Sequence, residues 1–369
     1  MKRTLTIGCA AVALFTVCGA ASAQTKFDVT VGGDLYFKGA YVKEDNDEGL
    51  RSTDFANRFR LVITPTAKAD NGLEYGARLR LRANNGDGTV DADRAFMFVN
   101  GAFGTIQAGT INGLSDEYGV IGPAIEGISG GPDDGAVDFA GTSAGGRNYI
   151  PGTSTNFRTT ASGDTSTKVI YLTPSFSGFQ AGVSYAPQLG SYNASVDRNK
   201  TAPNLLGVED VVEVGGLYSG EFGDITVAAS GFYEFGRASG TKDYRSWTVG
   251  ASVGYGPAEI GGFYTDQGRS GYVTGTGREQ RAWSINGTYT MGPVILAASY
   301  LNAREDTSFG AGGPNVDFDL WEAGMTYTVA PGLTVGVEYN YYDSELSAPA
   351  PGVSEGKGHI VMVDTRLAF

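Results

Sequence analysis

From Gln24 to Phe369 the chain repeats one pattern. Segments of about ten residues alternate apolar side chains with small or polar ones, and their connectors are tight and long in turn. In Trp247–Tyr255, Trp247, Val249, Ala251, Val253 and Tyr255 share one parity, while Thr248, Gly250, Ser252 and Gly254 share the other. Successive side chains of a strand point to opposite faces, so each such segment has one apolar and one polar face. In a soluble sandwich the apolar faces meet in a core. Here the apolar face repeatedly ends in Trp, Tyr or Phe, and the other face is too polar and too rich in glycine to be a core. Apolar outside and polar inside is the arrangement of a transmembrane β-barrel.

Sixteen segments carry the pattern, starting near Phe27, Phe55, Leu73, Asp91, Gly104, Thr167, Phe179, Asp210, Ile225, Tyr244, Glu259, Gln280, Val294, Phe318, Leu333 and His359. Short turns such as Asp70-Asn-Gly72, Gly256-Pro257 and Ala330-Pro-Gly332 follow the even-numbered segments. Asn, Asp, Gly and Pro supply turn dihedrals with little strain. Longer polar stretches follow the odd-numbered ones, among them Glu44–Thr53, Gln188–Glu209 and Arg304–Val316. An even number of antiparallel strands puts both termini and every short turn on one side, the periplasmic side of an outer-membrane barrel. Val294–Leu301 fits less well, being apolar on both faces. Packing against another subunit would explain that, and so would chance.

The N-terminus reads as a secretory leader. Lys2 and Arg3 precede a short apolar run from Leu5 to Cys18, and Ala21-Ser-Ala23 supplies small residues for cleavage before Gln24. Residues 1–23 are therefore expected to be a signal peptide and residues 24–369 the barrel. Cys9 and Cys18 both lie in the leader, so the mature chain is expected to have no thiol or disulfide chemistry. Of the 27 basic residues, Lys2 and Arg3 go with the leader, leaving 25 against 40 acidic residues and no basic tract. That balance argues against nucleic acid as a partner.

Arginines cluster on two neighbouring segments. Arg58 and Arg60 share the polar parity of the second, and Arg78, Arg80 and Arg82 that of the third. A hairpin through Asp70-Asn-Gly72 puts all five on one face. Near the midplane each would cost about 2–4 kcal/mol facing lipid, so the lumen is the side expected. The plain reading is a solvated lumen wall; the sharper one is an electrostatic wall at a constriction. The longest connector, between the fifth and sixth segments, carries Asp116, Glu117, Glu126, Asp133, Asp134 and Asp138. A loop that long is usually functional, and residues 111–147, with flanking residues to about 166, can fold into a sixteen-strand lumen and narrow it. Acids on the loop facing arginines on the wall would set up a field across the opening.

On these features together the chain resembles the general bacterial porins of Gram-negative outer membranes, most nearly the alphaproteobacterial type. The match rests on the leader ending Ala21-Ser-Ala23, the Arg58–Arg82 hairpin, the stretch Gly101–Gly109 before the long third loop, and a last segment in which Val361, Val363, Leu367 and Phe369 share a parity. The resemblance implies an all-β, sixteen-stranded antiparallel barrel that forms a homotrimer, with the third loop constricting each pore. It implies a basic wall of Arg58, Arg60, Arg78, Arg80 and Arg82, with Asp116, Glu117, Asp133 and Asp134 as candidates for the acidic side. It also implies contact with outer-membrane lipid and lipopolysaccharide, and a C-terminal signal, Leu367 with Phe369, read by the barrel-assembly machinery. The Pro-Glu-Phe-Gly-Gly sequence of enterobacterial third loops is absent.

Catalysis finds little support. His359 is the only histidine, and a serine hydrolase site needs a base and an orienting group beside its nucleophile. The Gly-x-Ser-x-Gly matches around Ser129, Ser143 and Ser252 lack the strand-to-helix turn that chemistry needs. Clustered carboxylates, Asp133 with Asp134 or Asp45 with Asp47 and Glu48, could bind calcium, the alternative being a solvated acidic loop; no other metal or cofactor is expected. The expected function is a general diffusion porin, a water-filled pore for ions and small hydrophilic solutes. The alternatives are a substrate-selective porin for sugars, phosphate or organic acids with a saturable site at the arginines, and a plugged structural or adhesive barrel.

Overall fold

The computed structural model describes residues 26–83, 90–125, 135–140, 147–151, 157–192, 196, 198, 207–273, 279–307, 313–349 and 351–369. The leader, Asp133 and Asp134 lie outside the described residues. Sixteen strands form one closed barrel: β1 (Asp28–Glu44), β2 (Thr53–Lys68), β3 (Glu74–Ala83), β4 (Asp91–Gly101), β5 (Gly104–Thr110), β7 (Thr167–Leu172), β8 (Phe179–Gln188), β9 (Gly207–Phe222), β10 (Ile225–Ser239), β11 (Tyr244–Tyr255), β12 (Ala258–Gly268), β13 (Gln280–Met291), β14 (Val294–Asp306), β15 (Asn315–Ala330), β16 (Leu333–Leu346) and β18 (Gly356–Ala368). Two further two-residue strands, β6 (Arg147–Asn148) and β17 (Val353–Ser354), pair in parallel outside the barrel sheet. The sixteen expected segments are thus the sixteen barrel strands, each starting within a few residues of its expected position.

Each barrel strand pairs antiparallel with its neighbours, and β1 closes the cylinder by pairing with β18 as well as β2. Closure leaves no unpaired edge, which in hydrocarbon would cost several kcal/mol per exposed backbone group. At the seam the last residue extends the ladder: Gly33 N donates to Phe369 O at 2.8 Å, and Phe369 N to Gly33 O at 3.1 Å. The short turns follow from composition. In Ala69–Leu73 the chain reverses with Gly72 at φ +85°, a left-handed value that costs a residue with a Cβ far more than glycine.

The faces are inverted relative to a soluble protein. On β11, Trp247, Val249, Val253 and Tyr255 are exposed, whereas Ser246, Thr248 and Ser252 are buried. Around the outside, near the long-loop end, aromatic rings touch from strand to strand. Trp247 lies 5.1 Å from Tyr264, Trp283 and Trp321 each 5.2 Å from Tyr300, Tyr341 5.4 Å from Trp321 and 4.9 Å from His359. Such a belt suits the membrane–water boundary, where an apolar ring with a polar tip is satisfied on both sides. His359, the lone histidine, belongs to this belt and meets Tyr339 Oη at 2.7 Å.

The long connector after β5 folds inward. Its first limb carries α1 (Leu114–Tyr118), whose Leu114 packs with Ile111 against Phe96, Ile170, Leu172 and Phe232 of the inner wall. Full burial of a leucine contributes about 1.5–3 kcal/mol. Farther along, Ile121, Val137, Phe139, Ile150 and Phe157 join a second inner cluster with Val42, Phe263, Leu301, Phe318, Leu320, Ile360 and Met362. Within Val294–Leu301, Leu301 points inward and is covered by this cluster, which accounts for one of the apolar residues on the inner face.

Candidate functional site

The arginine wall forms because β2, β3 and β4 are adjacent and in register. Arg60 and Arg82 are cross-strand partners, as are Arg80 and Arg94. Like charges directly opposite repel, and two aspartates offset them. Asp34 on β1 accepts from Arg60 Nε and Nη2, both at 2.9 Å, and from Arg366 Nη2 at 2.8 Å; Arg58 Nη2 stands 3.9 Å away. Asp93 on β4 accepts from Arg80 Nε at 2.7 Å, Arg80 Nη2 at 2.6 Å and Arg82 Nη1 at 3.1 Å. Two-pronged guanidinium–carboxylate pairs of this kind are strong and fix orientation. Arg58 is buried with its guanidinium 4.5 Å from the ring centre of Tyr36. Arg78 differs from all of these. It is exposed, and among the described residues it makes no hydrogen bond or ion pair.

Of the acids expected on the loop, Asp116 and Glu117 sit in α1 near the start of the inserted segment. Glu117 Oε1 accepts from Arg94 Nε at 2.7 Å, and Asp116 pairs with Arg158 Nη1 at 2.6 Å and Arg94 Nη2 at 3.7 Å. The five expected arginines therefore meet wall acids, or in Arg78 no described acid, while these two loop acids are engaged by Arg94 and Arg158. Sequence reasoning missed Asp34, Asp93, Arg94, Arg158 and Arg366. Asp34 and Arg94 lay on readable inward parities. Asp93 did not, because a register shift opposite Arg80 and Leu81 breaks the alternation of β4. Tyr118, on the same helix, donates to Gln107 Oε1 at 2.8 Å. Burial, followed by the Glu117 charge, pushes its hydroxyl up to about 12, which keeps it a neutral donor.

Past α1 the loop crosses to the opposite wall at Val120–Gly122, and Val137–Phe139 pack near β1, β16 and β18. Val120 N donates to Ser230 Oγ on β10 at 2.8 Å, and Asn286 Nδ2 on β13 donates to Ile121 O at 3.3 Å. The backbone approaches so closely that a Cβ on Gly250 would fall 1.7 Å from Val120 O, and one on Gly261 would fall 2.8 Å from Gly122 Cα. On the return, Tyr149 Oη donates to Glu305 Oε1 at 2.8 Å and Ser344 Oγ to Tyr149 O at 2.5 Å. The Val120–Gly122 segment and the arginines thus occupy facing sides of the lumen. Of the candidate calcium carboxylates of the first long loop, Asp47 pairs with Lys43 Nζ at 3.2 Å, and Asp45 accepts from Lys357 N at 3.0 Å. Leu367 and Phe369 lie exposed on the outer face, with the rings of Phe369 and Phe59 6.1 Å apart.

A closed sixteen-strand barrel with an apolar exterior and an arginine-lined interior defines the class of outer-membrane pore-forming proteins. A family model described as "Gram-negative porin" matches residues 9–346, and the chain belongs to that family. It is a β-barrel of the outer membrane and a channel protein. Among solved structures it is similar to an anion-selective porin from Comamonas acidovorans (TM-score 0.66, 19% identity, 93% of this chain and 100% of that one). A mutant of the Rh. blastica porin is also similar (TM-score 0.59, 17% identity, 93% of this chain and 100% of that one). So is a loop-deletion mutant of an outer membrane protein of Vibrio cholerae (TM-score 0.58, 16% identity, 93% and 99%). At these identities the likeness is one of fold. No curated protein matches the sequence.

Proposed function

We propose that the chain is a general diffusion porin, passing ions and small hydrophilic solutes passively through a lumen narrowed by its third loop. The observation that carries this reading is the position of that loop. Its Val120–Gly122 segment is seated on the inner faces of β10–β13 across the lumen from the arginine wall, and its return limb reaches β16, so a solute crossing the barrel passes between charged and polar surfaces. Such a surface favours hydrated solutes, because an apolar one gains nothing in exchange for the ordered water it displaces. Liposomes carrying the protein should swell in neutral sugars at rates that fall steeply with sugar size, and planar bilayers should show discrete steady conductance steps. Purified, folded protein without such steps would sink the reading.

The exposure of Arg78 favours a second, narrower reading, a preference for anionic solutes bearing carboxylate or phosphate. A guanidinium not committed to a carboxylate is free to take one from a passing solute. Saturable flux, or block of the current by one anion at low concentration, would favour it over free diffusion. In the same proposal the working unit is a homotrimer set in lipid and lipopolysaccharide and assembled by the barrel-assembly machinery, on the strength of the family; crosslinking in intact membranes tests the oligomer.

A further inference from the structure

Three buried charged side chains on β7, β9 and β10 hold both limbs of the inserted loop. Glu213 on β9 and Glu234 on β10 are direct cross-strand partners, both inward-facing, at 2% and 0% exposure. Two carboxylates so placed repel and lose most of their hydration, which is costly unless donors converge on them. The donors come from the loop. Glu213 takes the outgoing limb: Leu114 N donates to Oε2 at 2.5 Å and Ser115 N to Oε1 at 2.9 Å, so this carboxylate caps α1. Glu234 takes the returning limb, accepting from Ala161 N at 3.0 Å, with Ser246 Oγ of β11 at 3.2 Å. The Thr159 hydroxyl lies between them, 3.0 Å from Glu213 Oε1 and 2.9 Å from Glu234 Oε2. Lys168 on β7 makes the same double connection with opposite polarity, donating to Ile111 O on the outgoing limb at 2.8 Å and to Asp164 O on the return at 2.5 Å.

We propose that Glu213 and Glu234, with Lys168, act as one clamp that positions the inserted loop in the lumen and so sets the open area of the pore. This rests on the channel reading above. Nothing in the packing of the barrel strands themselves requires carboxylates here, since serine or threonine occupies many other inward positions. What requires them is the loop's free backbone N–H groups, which need acceptors that reach in from the wall. With both limbs tied to the same two residues, the loop moves as one body or not at all. Loss of the clamp therefore converts one loop position into several, and the pore should flicker.

The chemistry distinguishes the two carboxylates. Both oxygens of Glu213 accept from backbone N–H groups, so Glu213→Gln sets an amide NH2 against one of them. Glu234 accepts a single backbone N–H, that of Ala161, shared between its two oxygens at 3.0 Å each, so the one amide oxygen of Glu234→Gln can keep it and the change is the milder one. In planar bilayers Glu213→Gln should raise the frequency of brief closures by about tenfold, the population shift expected when a buried charge-assisted hydrogen bond is lost. Glu234→Gln should do so less. Thr159→Val, which leaves every barrel strand untouched, should act in the same direction and decides the matter if Glu213→Gln fails to assemble. Hydrogen exchange gives an arm independent of conductance: the amides of Leu114, Ser115 and Ala161 should lose protection in the variants while barrel amides keep theirs. Wild-type step size and closure frequency in the variants, with those amides still protected, would overturn the clamp. Absence of conductance in the wild type would instead overturn the channel reading, and the exchange experiment would still judge the clamp.

Discussion

The arginines of the inner wall share a charge and a parity but not an environment. Arg80 is locked on Asp93 by two short hydrogen bonds, and its removal would leave a half-buried carboxylate with a single weaker partner. Arg78 is exposed, and among the described residues it has no hydrogen-bond or ion-pair partner. The two should therefore fail differently. Arg80→Gln is expected to cost about 1–3 kcal/mol of stability through the uncompensated carboxylate, read as a lower unfolding temperature in detergent. Arg78→Gln should leave that temperature unchanged and shift the zero-current potential toward cations. A unit charge in water acts with about 1 kcal/mol at 4 Å, so local anion enrichment near this residue should fall by about fivefold at low salt. The effect should fade as salt rises, because the screening length shrinks to about 3 Å at 1 M. An unchanged zero-current potential in Arg78→Gln at low salt would refute a selective role for that side chain.

At the scale of elements, the loop's seat is built from what the wall lacks as much as from what it carries. Gly250 and Gly261 present bare backbone where Val120–Gly122 lie against β11 and β12. Gly250→Ala would place a methyl group 1.7 Å from a backbone oxygen, far inside contact distance, and neither the closed sheet nor the peptide can absorb that locally. The loop must move inward. A smaller conductance step is expected, together with about 1–3 kcal/mol of lost stability from overpacking; a wild-type step would show that the loop does not bound the pore there. The sequence made Gly250 readable as an inward residue of β11, and the alternation located every barrel strand. It could not reveal the seat, because inward glycine is equally compatible with open water. Glu213 and Glu234 were similarly visible as inward carboxylates, but their donors are backbone N–H groups of a segment without periodicity. The pairing of Asp116 and Glu117 with Arg94 and Arg158 was hidden for the same reason. Alternation reports which face a strand residue takes and is silent about a loop that crosses from one wall to another.

At the scale of the whole molecule, closure depends on the first and last strands finding each other, an interaction between residues more than three hundred positions apart. β1 meets β18 from Asp34 opposite Ala368 to Glu44 opposite Gly358, and Phe369 adds the final pair of backbone hydrogen bonds through Gly33. Asp34 reinforces the seam on the inside by joining Arg60 of β2 to Arg366 of β18. Deleting Phe369 removes two of the many hydrogen bonds at the seam and one exposed ring on the outer face. At about 0.5–1.5 kcal/mol for each bond, this is a modest thermodynamic loss for a closed barrel. Refolding of the shortened chain from denaturant into detergent should therefore remain nearly as complete as that of the full chain. In cells the expectation differs: if Phe369 and Leu367 form the signal for assembly, outer-membrane levels should fall severalfold while refolding in vitro barely changes. Equal losses in the two settings would assign Phe369 to the seam alone, and full membrane levels would remove it from assembly altogether.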